Sequence, residues 1–229
     1  MGALFVNRDA GGPATGAVVV VDVLRAFTTA AYAFAAGARE IILVADVAEA
    51  LRLKRANPRW LAMGEYGGRR IDGFDLPNSP VQAAQADLGG RTIVQRTSAG
   101  TRGVVATVNA QRLWCTGLVC ASATARAVSE AGLGGPTYVI TGDWPGRPDL
   151  SGLDDRATAD FIESVRTGAP LDPRDAARAV ANSEEAARTL ALGAGHVDPA
   201  DVQYAVDVDR FDFAMEATRE ARGLVLRRT

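Results

Sequence analysis

The chain carries one lysine, one histidine and two cysteines in 229 residues, and each scarcity closes off a class of function. Lys54 is the sole lysine, so the basic side chains are nearly all arginine. Lys and Arg number 25 against 27 Asp and Glu, a formal net charge of -2, and the pI is about 5.5. A general nucleic-acid surface rests on clustered cationic side chains, so this balance argues against one. His196 stands alone in a Gly-rich stretch, and without a second histidine a zinc site is not expected. Cys115 and Cys120 show neither a paired-Cys zinc spacing nor a secreted disulfide framework; they read as reduced, buried small hydrophobes. No segment approaches the ~18 consecutive apolar residues of a membrane span, and Met1 to Phe5 lack a basic region followed by a long apolar run. A soluble cytoplasmic protein without a membrane partner is expected.

What is present is an ordinary globular composition, with 48% hydrophobic and 23% charged residues. A chain this long buries enough apolar surface to fold without disulfides, and residues 1–229 are expected to form one domain. Ala17 to Val21 is a β-branched run of the kind buried on both faces of a sheet. Further strands are predicted at Glu40 to Val44, Trp60 to Met63, Thr92 to Gln95, Arg112 to Cys115 and Thr137 to Thr141. Helices are predicted at Ala26 to Ala36, Val47 to Arg55 with Asp46 as its cap, Val81 to Ala86, and from Gly100–Thr101 to about Asn109. Ser122 to Ala131 and Leu153 to Val165 also read as helices. The remainder reads as mostly helical, with Asp172 to Leu192 one long Ala-rich helix and a polar tail at the end. Strands alternating with helices imply an α/β fold with a mainly parallel sheet covered on both faces and a helical C-terminal third.

Ligands of open α/β sheets collect beyond the carboxyl ends of the strands. Four loops qualify there: Asp22 to Arg25, Gly64 to Pro80, Arg96 to Thr101 and Gly142 to Asp155. Asp22 follows four valines and is either a metal ligand or nucleophile, or the cap of the next helix. Arg25 could grip a phosphate with its fork, or be a plain surface arginine. Glu65 is an unusual residue for a tight strand-end turn. Asn78-Ser79-Pro80 offers an amide and a hydroxyl, yet also makes a common turn. Arg96 to Thr101 could aim N–H groups and hydroxyls at an anion, or simply cap a helix; it is not a Walker loop. Asp154 and Asp155 suit a helix start, where the dipole favours acids, or could complete an oxygen-ligand site of the sort magnesium takes.

The run Val19-Val20-Val21-Asp22-Val23-Leu24-Arg25-Ala26-Phe27-Thr28-Thr29 resembles the 2-phosphosulfolactate phosphatase family. So, in the same order, do Gly64-Glu65, Gly73-Phe74-Asp75-Leu76-Pro77-Asn78-Ser79-Pro80, Thr97-Ser98-Ala99-Gly100-Thr101 and Asp154-Asp155. Two departures stand out: Ala99 where the family usually has Asn, and Asp154 where its acidic motif commonly begins with Glu. The resemblance implies a three-layer α/β/α, Mg²⁺-dependent phosphatase that hydrolyses 2-phosphosulfolactate or a related small phosphorylated hydroxy acid in coenzyme M biosynthesis, and it makes a homodimer plausible. On that basis Mg²⁺ is assigned to Asp22 and Glu65, with Asp155 as a further ligand or water-orienting base. Arg25, Ser98, the Gly100 amide and Thr101 would hold phosphate oxygens, and Asn78 and Ser79 would contact substrate. Leu24 stands where a haloacid-dehalogenase-type phosphatase has its second aspartate, which favours direct attack by water over a phospho-aspartate. A non-catalytic phospho-acid binder on the same fold and a metal-dependent lyase remain as rival readings.

Overall fold

The computed structural model describes residues 2–147 and 150–229. The valine run forms β2 (Gly16–Val21), and its alternation sets the layering. Val18 and Val20 face one core with Ala26, Phe27, Ala30 and Phe34. Val19 and Val21 face the opposite core with Trp114, Tyr138, Phe161 and Ile162. All four valines are fully buried, each worth roughly 1.5–3 kcal/mol relative to exposure. The pattern repeats in β3 (Glu40–Leu43), where Ile41 and Leu43 join the first core and Ile42 a third.

Helix α1 (Ala26–Ala35) is apolar nearly all round and lies buried on one face of the sheet. It packs there with α3 (Pro80–Gln85) and α4 (Gly100–Ala106). The other face is covered by α2 (Val47–Ala56), α5 (Ala121–Glu130), α6 (Leu153–Arg166) and α7 (Pro173–Ala181). Asp46 caps α2 as predicted, accepting N–H groups from Ala48 and Glu49. The expected α/β fold with helices on both faces is present. Among the described residues no helix is long and apolar enough to cross a membrane.

Two expectations fail in the last third. The single helix over 172–192 is two, α7 and α8 (Glu184–Ala191), because Ser183 turns extended and caps the second through the Ala186 N–H. The polar tail is a hairpin, β9 (Met215–Glu220) and β10 (Gly223–Arg228), inserted in the middle of the sheet. Met215, Ala217, Leu224 and Leu226 point into the first core and Val225 into the third, while Glu216, Arg219, Glu220, Arg227 and Arg228 make the segment look solvated in sequence. With β1 (Leu4–Asn7), β4 (Leu61–Gly64), β5 (Leu76–Pro77), β6 (Thr92–Arg96), β7 (Ala110–Thr116) and β8 (Thr137–Ile140), the order across the sheet is β1-β8-β2-β7-β9-β10-β3-β6-β4-β5. Strands β1, β8, β2 and β7 are mutually parallel, as are β3, β6, β4 and β5. The hairpin joins the two blocks by antiparallel pairings.

Candidate active site

A cavity of about 430 Å³ opens where strand ends from both blocks meet. Asp22 follows β2, Glu65 follows β4, Asn78 follows β5, Ser98 and Ala99 follow β6, and Gly142 follows β8; all line it, together with Arg25. Contact between the blocks is intimate: a methyl built on Gly100 would sit 2.7 Å from Asp22 Oδ2 and 2.8 Å from the Ala26 Cβ. Gly64 is equally constrained, since its φ of +146° and a clash at 1.9 Å with the Arg96 carbonyl admit no side chain.

Asp22 is 5% exposed, and its Oδ1 accepts the Ala26 N–H at 2.8 Å. Burial lifts its carboxyl to about 6, the Glu65 charge adds to this, and donors at Ala26, Thr141 and Gly100 oppose it. Glu65 bridges two loops, accepting from Gly68 N–H at 2.6 Å, from Ser98 Oγ at 3.0 Å and from the Ser98 N–H. Arg96 fixes this corner by donating to the Glu65 carbonyl at 2.7 Å and lying over the Tyr66 ring.

Arg25 is 4% exposed and firmly held. It donates to Asp201 Oδ2 at 2.8 Å, to the His196 carbonyl at 3.1 Å and to the Gly68 carbonyl at 3.2 Å. Asp201 is fully buried, and it also accepts from Ser79 Oγ at 2.6 Å and from the Asp198 N–H at 3.1 Å. Sequence reasoning missed Asp201, because Asp198-Pro199-Ala200-Asp201 looks like a surface helix start and nothing local points to an arginine 176 positions away.

The remaining candidates divide. Asn78 lines the cavity, and among the described residues its buried Oδ1 has no hydrogen-bond partner. Ser98 lines it too, but its hydroxyl serves Gly67 and Glu65. Ser79 is turned away to Asp201 and caps α3. Thr101 is fully buried and pairs reciprocally with Thr97, each N–H meeting the other's hydroxyl, so the loop consumes the groups expected to meet an anion. Asp155 lies behind the wall, accepting from Val23 N–H at 2.8 Å, Gly142 N–H at 2.9 Å and the Thr141 hydroxyl at 3.2 Å. Burial, then Asp154 and Asp22, hold its carboxyl well above the ordinary range, and burial with the Glu185 charge pushes Asp154 up to about 8. His196 contributes only its carbonyl to Arg25, while its ring meets the Arg70 N–H at 3.3 Å.

Among the described residues no three His, Cys, Asp or Glu side chains converge as ready-made metal ligands, so Asp22, Glu65 and Asp155 do not form the expected three-carboxylate cage. Asp22 and Glu65 do share the cavity. Magnesium is commonly held by one or two carboxylates, with water and substrate phosphate completing its shell, and these two hard oxygen donors suit it.

A family described as 2-phosphosulpholactate phosphatase matches this chain over residues 7–219. The chain belongs to the 2-phosphosulfolactate phosphatase family. A relative from Bacillus subtilis, named "Probable 2-phosphosulfolactate phosphatase", is 32% identical over 203 residues, which are 88% of this chain and 87% of that one. One of the same name from Prochlorococcus marinus (strain MIT 9303) is 32% identical over 169 residues, 70% of this chain and 65% of its own. Another from Synechococcus sp. (strain RCC307) reaches 41% over 126 residues, 52% of this chain and 50% of its own. Membership makes this chain a phosphoric monoester hydrolase.

The loop after β8, one of the four strand-end loops singled out in the sequence, brings Trp144, Arg147 and Leu150 to the cavity, and α8, which sequence reasoning overlooked, brings Glu185, Arg188, Thr189 and Leu192. Glu185 ties them together, accepting from the Gly152 N–H at 3.0 Å and from Arg188 at 2.9 Å. The signal available was the Ser183 cap, which starts a short helix with Glu185, Arg188 and Thr189 close together on it.

Proposed function

We propose that this protein hydrolyses 2-phosphosulfolactate to sulfolactate and phosphate with the help of Mg²⁺ held by Asp22 and Glu65. The observation that carries the reading is the meeting of Asp22, Arg25, Glu65 and Asn78 in one cavity at the strand ends. The Asp22 and Glu65 carboxylates facing that cavity would by themselves repel a phosphate dianion. A bound divalent cation offsets this repulsion and stabilises charge developing on the phosphoryl oxygens.

Phosphoryl transfer runs through a loose transition state, so positioning and electrostatics do most of the work. Arg25 supplies a fixed positive charge beside Asp22, and Asp201 removes its freedom to swing. Asn78 supplies an amide whose acceptor oxygen has no partner among the described residues, suited to orienting a water. Glu65 and Ser98 hold the two flanking loops at a fixed separation. Asp155 acts at one remove: by gathering the Val23 and Gly142 N–H groups it fixes the turn that carries Asp22.

The test is phosphate release from 2-phosphosulfolactate with Mg²⁺ and with chelator, for wild type and Asp22→Asn. Turnover should require the metal and disappear in the variant. Wild-type rates in Asp22→Asn would remove this residue from the mechanism, and binding without phosphate release would leave a phospho-acid binder.

A further inference from the structure

The cavity lining has two parts of unlike character. One carries the Asp22 and Glu65 carboxylates, Arg25 and Asn78. The other presents Trp144 and Leu150 from the loop after β8 and Leu192 from the end of α8, and Leu24 adds a fourth large apolar side chain. Trp144, Leu150 and Leu192 belong to none of the three hydrophobic cores, and each keeps part of its surface exposed. Packing of the cores therefore does not account for them. Apolar surface held at a cavity gains free energy when an apolar ligand group covers it.

These side chains are fixed in place. The Arg8 guanidinium lies over the Trp144 ring, 3.9 Å from its centroid. The Trp144 N–H donates to the Leu150 carbonyl at 3.0 Å, which folds the loop back on itself. Leu192 packs against the Gly68 turn so tightly that a methyl on Gly68 would lie 2.7 Å from it, and the Gly68 carbonyl accepts from Arg25. A surface ordered in advance binds without paying to order itself.

The charges set among these groups are answered within the protein. Glu185 Oε1 accepts the Gly152 N–H at 3.0 Å, the Ser151 hydroxyl at 3.3 Å and the Arg188 guanidinium at 2.9 Å. Arg188 also lies 3.6 Å from Glu184. Arg147 is exposed and engaged in a contact of its own. With the Glu185 carboxylate beside Arg188, this part of the lining has little pull on an anion, and its distinguishing chemistry is hydrophobic. Size agrees: about 430 Å³ lies in the range of pockets that enclose drug-sized ligands, more than a phosphorylated three-carbon acid fills.

We propose that this protein also hydrolyses phosphomonoesters carrying a compact hydrophobic group, a phenyl ring or a branched alkyl chain, and that Trp144, Leu150 and Leu192 bind that group. The inference rests on the phosphatase reading of the same cavity and adds a second class of substrate to 2-phosphosulfolactate. The reaction is the same one. Water adds to phosphorus, the bond from phosphorus to the ester oxygen breaks, and that oxygen leaves as the alcohol with a proton from the water.

The experiment measures phosphate release from 2-phospholactate and from 2-phospho-3-phenyllactate, which has a benzyl group where the first has a methyl. In wild type, kcat/KM should favour the phenyl substrate roughly tenfold to a hundredfold, the gain expected from burying the ring, and mainly through KM. Trp144→Ala and Leu192→Ala should each cut that ratio about fivefold or more, and Trp144→Phe should keep most of it. A folding defect lowers both substrates together and leaves the ratio alone, so the ratio reads the wall and not stability. A wild-type ratio near one, or a ratio unmoved in both alanine variants, overturns the assignment. No phosphate release from these two or from 2-phosphosulfolactate overturns the phosphatase reading instead. The affinity ratio of the two phosphoesters, read by quenching of tryptophan fluorescence, then decides the hydrophobic preference by itself.

Discussion

Replacing Asp201 by Asn should destabilise the protein far more than a substitution outside the cavity lining ordinarily would. Asp201 is fully buried and Arg25 is 4% exposed, with 2.8 Å between Asp201 Oδ2 and Nη1 of Arg25. The amide keeps the size but removes the charge, and it either faces an N–H₂ toward the guanidinium or turns and loses the Ser79 hydroxyl. Breaking a buried ion pair by removing one partner costs about 3–5 kcal/mol, because the other charge is stranded in low dielectric. At about 2–4 °C per kcal/mol for a chain of this size, the thermal midpoint should fall by roughly 6–20 °C. Urea unfolding followed by circular dichroism reads the free energy directly. A double-mutant cycle isolates the pair: Arg25→Met should cost at least about 2 kcal/mol less in the Asp201→Asn background than in wild type. A loss below about 1 kcal/mol, or additive single effects, would refute the claim that Asp201 is what holds Arg25.

Two further expectations concern the junction of the blocks and the hairpin. Gly100→Ala places a methyl against Asp22 Oδ2 and the Ala26 Cβ; overpacking of this kind costs about 1–3 kcal/mol. A shifted Asp22 should lower kcat on the order of a hundredfold, and unchanged kcat would show that the carboxylate tolerates displacement. Glu40 is buried beside Thr92 and joins Arg222 and Arg227 of the hairpin. Burial alone would raise its carboxyl, but the Thr92 and Arg222 hydrogen bonds and the surrounding arginines bring it below its usual value. On the hairpin itself Glu220, bonded to Arg227 and Arg222, is lowered to about 2. Depressed acids stabilise the fold above their unfolded values near 4.5, and that contribution disappears as pH falls through the lowered ones. Glu40→Gln should therefore unfold more easily at pH 7 and show a shallower fall of the thermal midpoint than wild type as pH drops below about 4.5. Identical slopes would take Glu40 out of the acid response.

What sequence reasoning recovered was local. Asp22 was visible because it ends a run of four buried valines, and Glu65 because a glutamate is out of place in a Gly-rich strand-end turn. The helices and most strands followed from apolar periodicity and caps such as Asp46. Other features depend on distant partners and escaped. Thr101 has the composition of an anion contact, but its hydroxyl is spent on Thr97. Asp155 looked like a free ligand, whereas three donors from two other loops claim it. The hairpin reads as a tail because Glu216, Arg219, Glu220, Arg222, Arg227 and Arg228 crowd a short stretch, and a half-polar segment reveals its sheet position only through neighbours far along the chain.

The hairpin also resolves a geometric difficulty in the site. Three antiparallel pairings, β7 with β9, β9 with β10 and β10 with β3, separate the two parallel blocks. An odd number of reversals means that β2 and β4 formally run in opposite directions. In a flat sheet Asp22 and Glu65 would then lie at opposite edges. They line one cavity instead. Twist accounts for this: neighbouring strands rotate by about 20–25°, and six steps separate β2 from β4 in the strand order, so roughly 120–150° accumulates. That rotation undoes most of the formal reversal and brings the carboxyl ends of β2 and β6 together, close enough for Gly100 to touch Asp22. The C-terminal strands hold no candidate catalytic group, but they contribute three of the six rotations that bring the two halves of the site face to face.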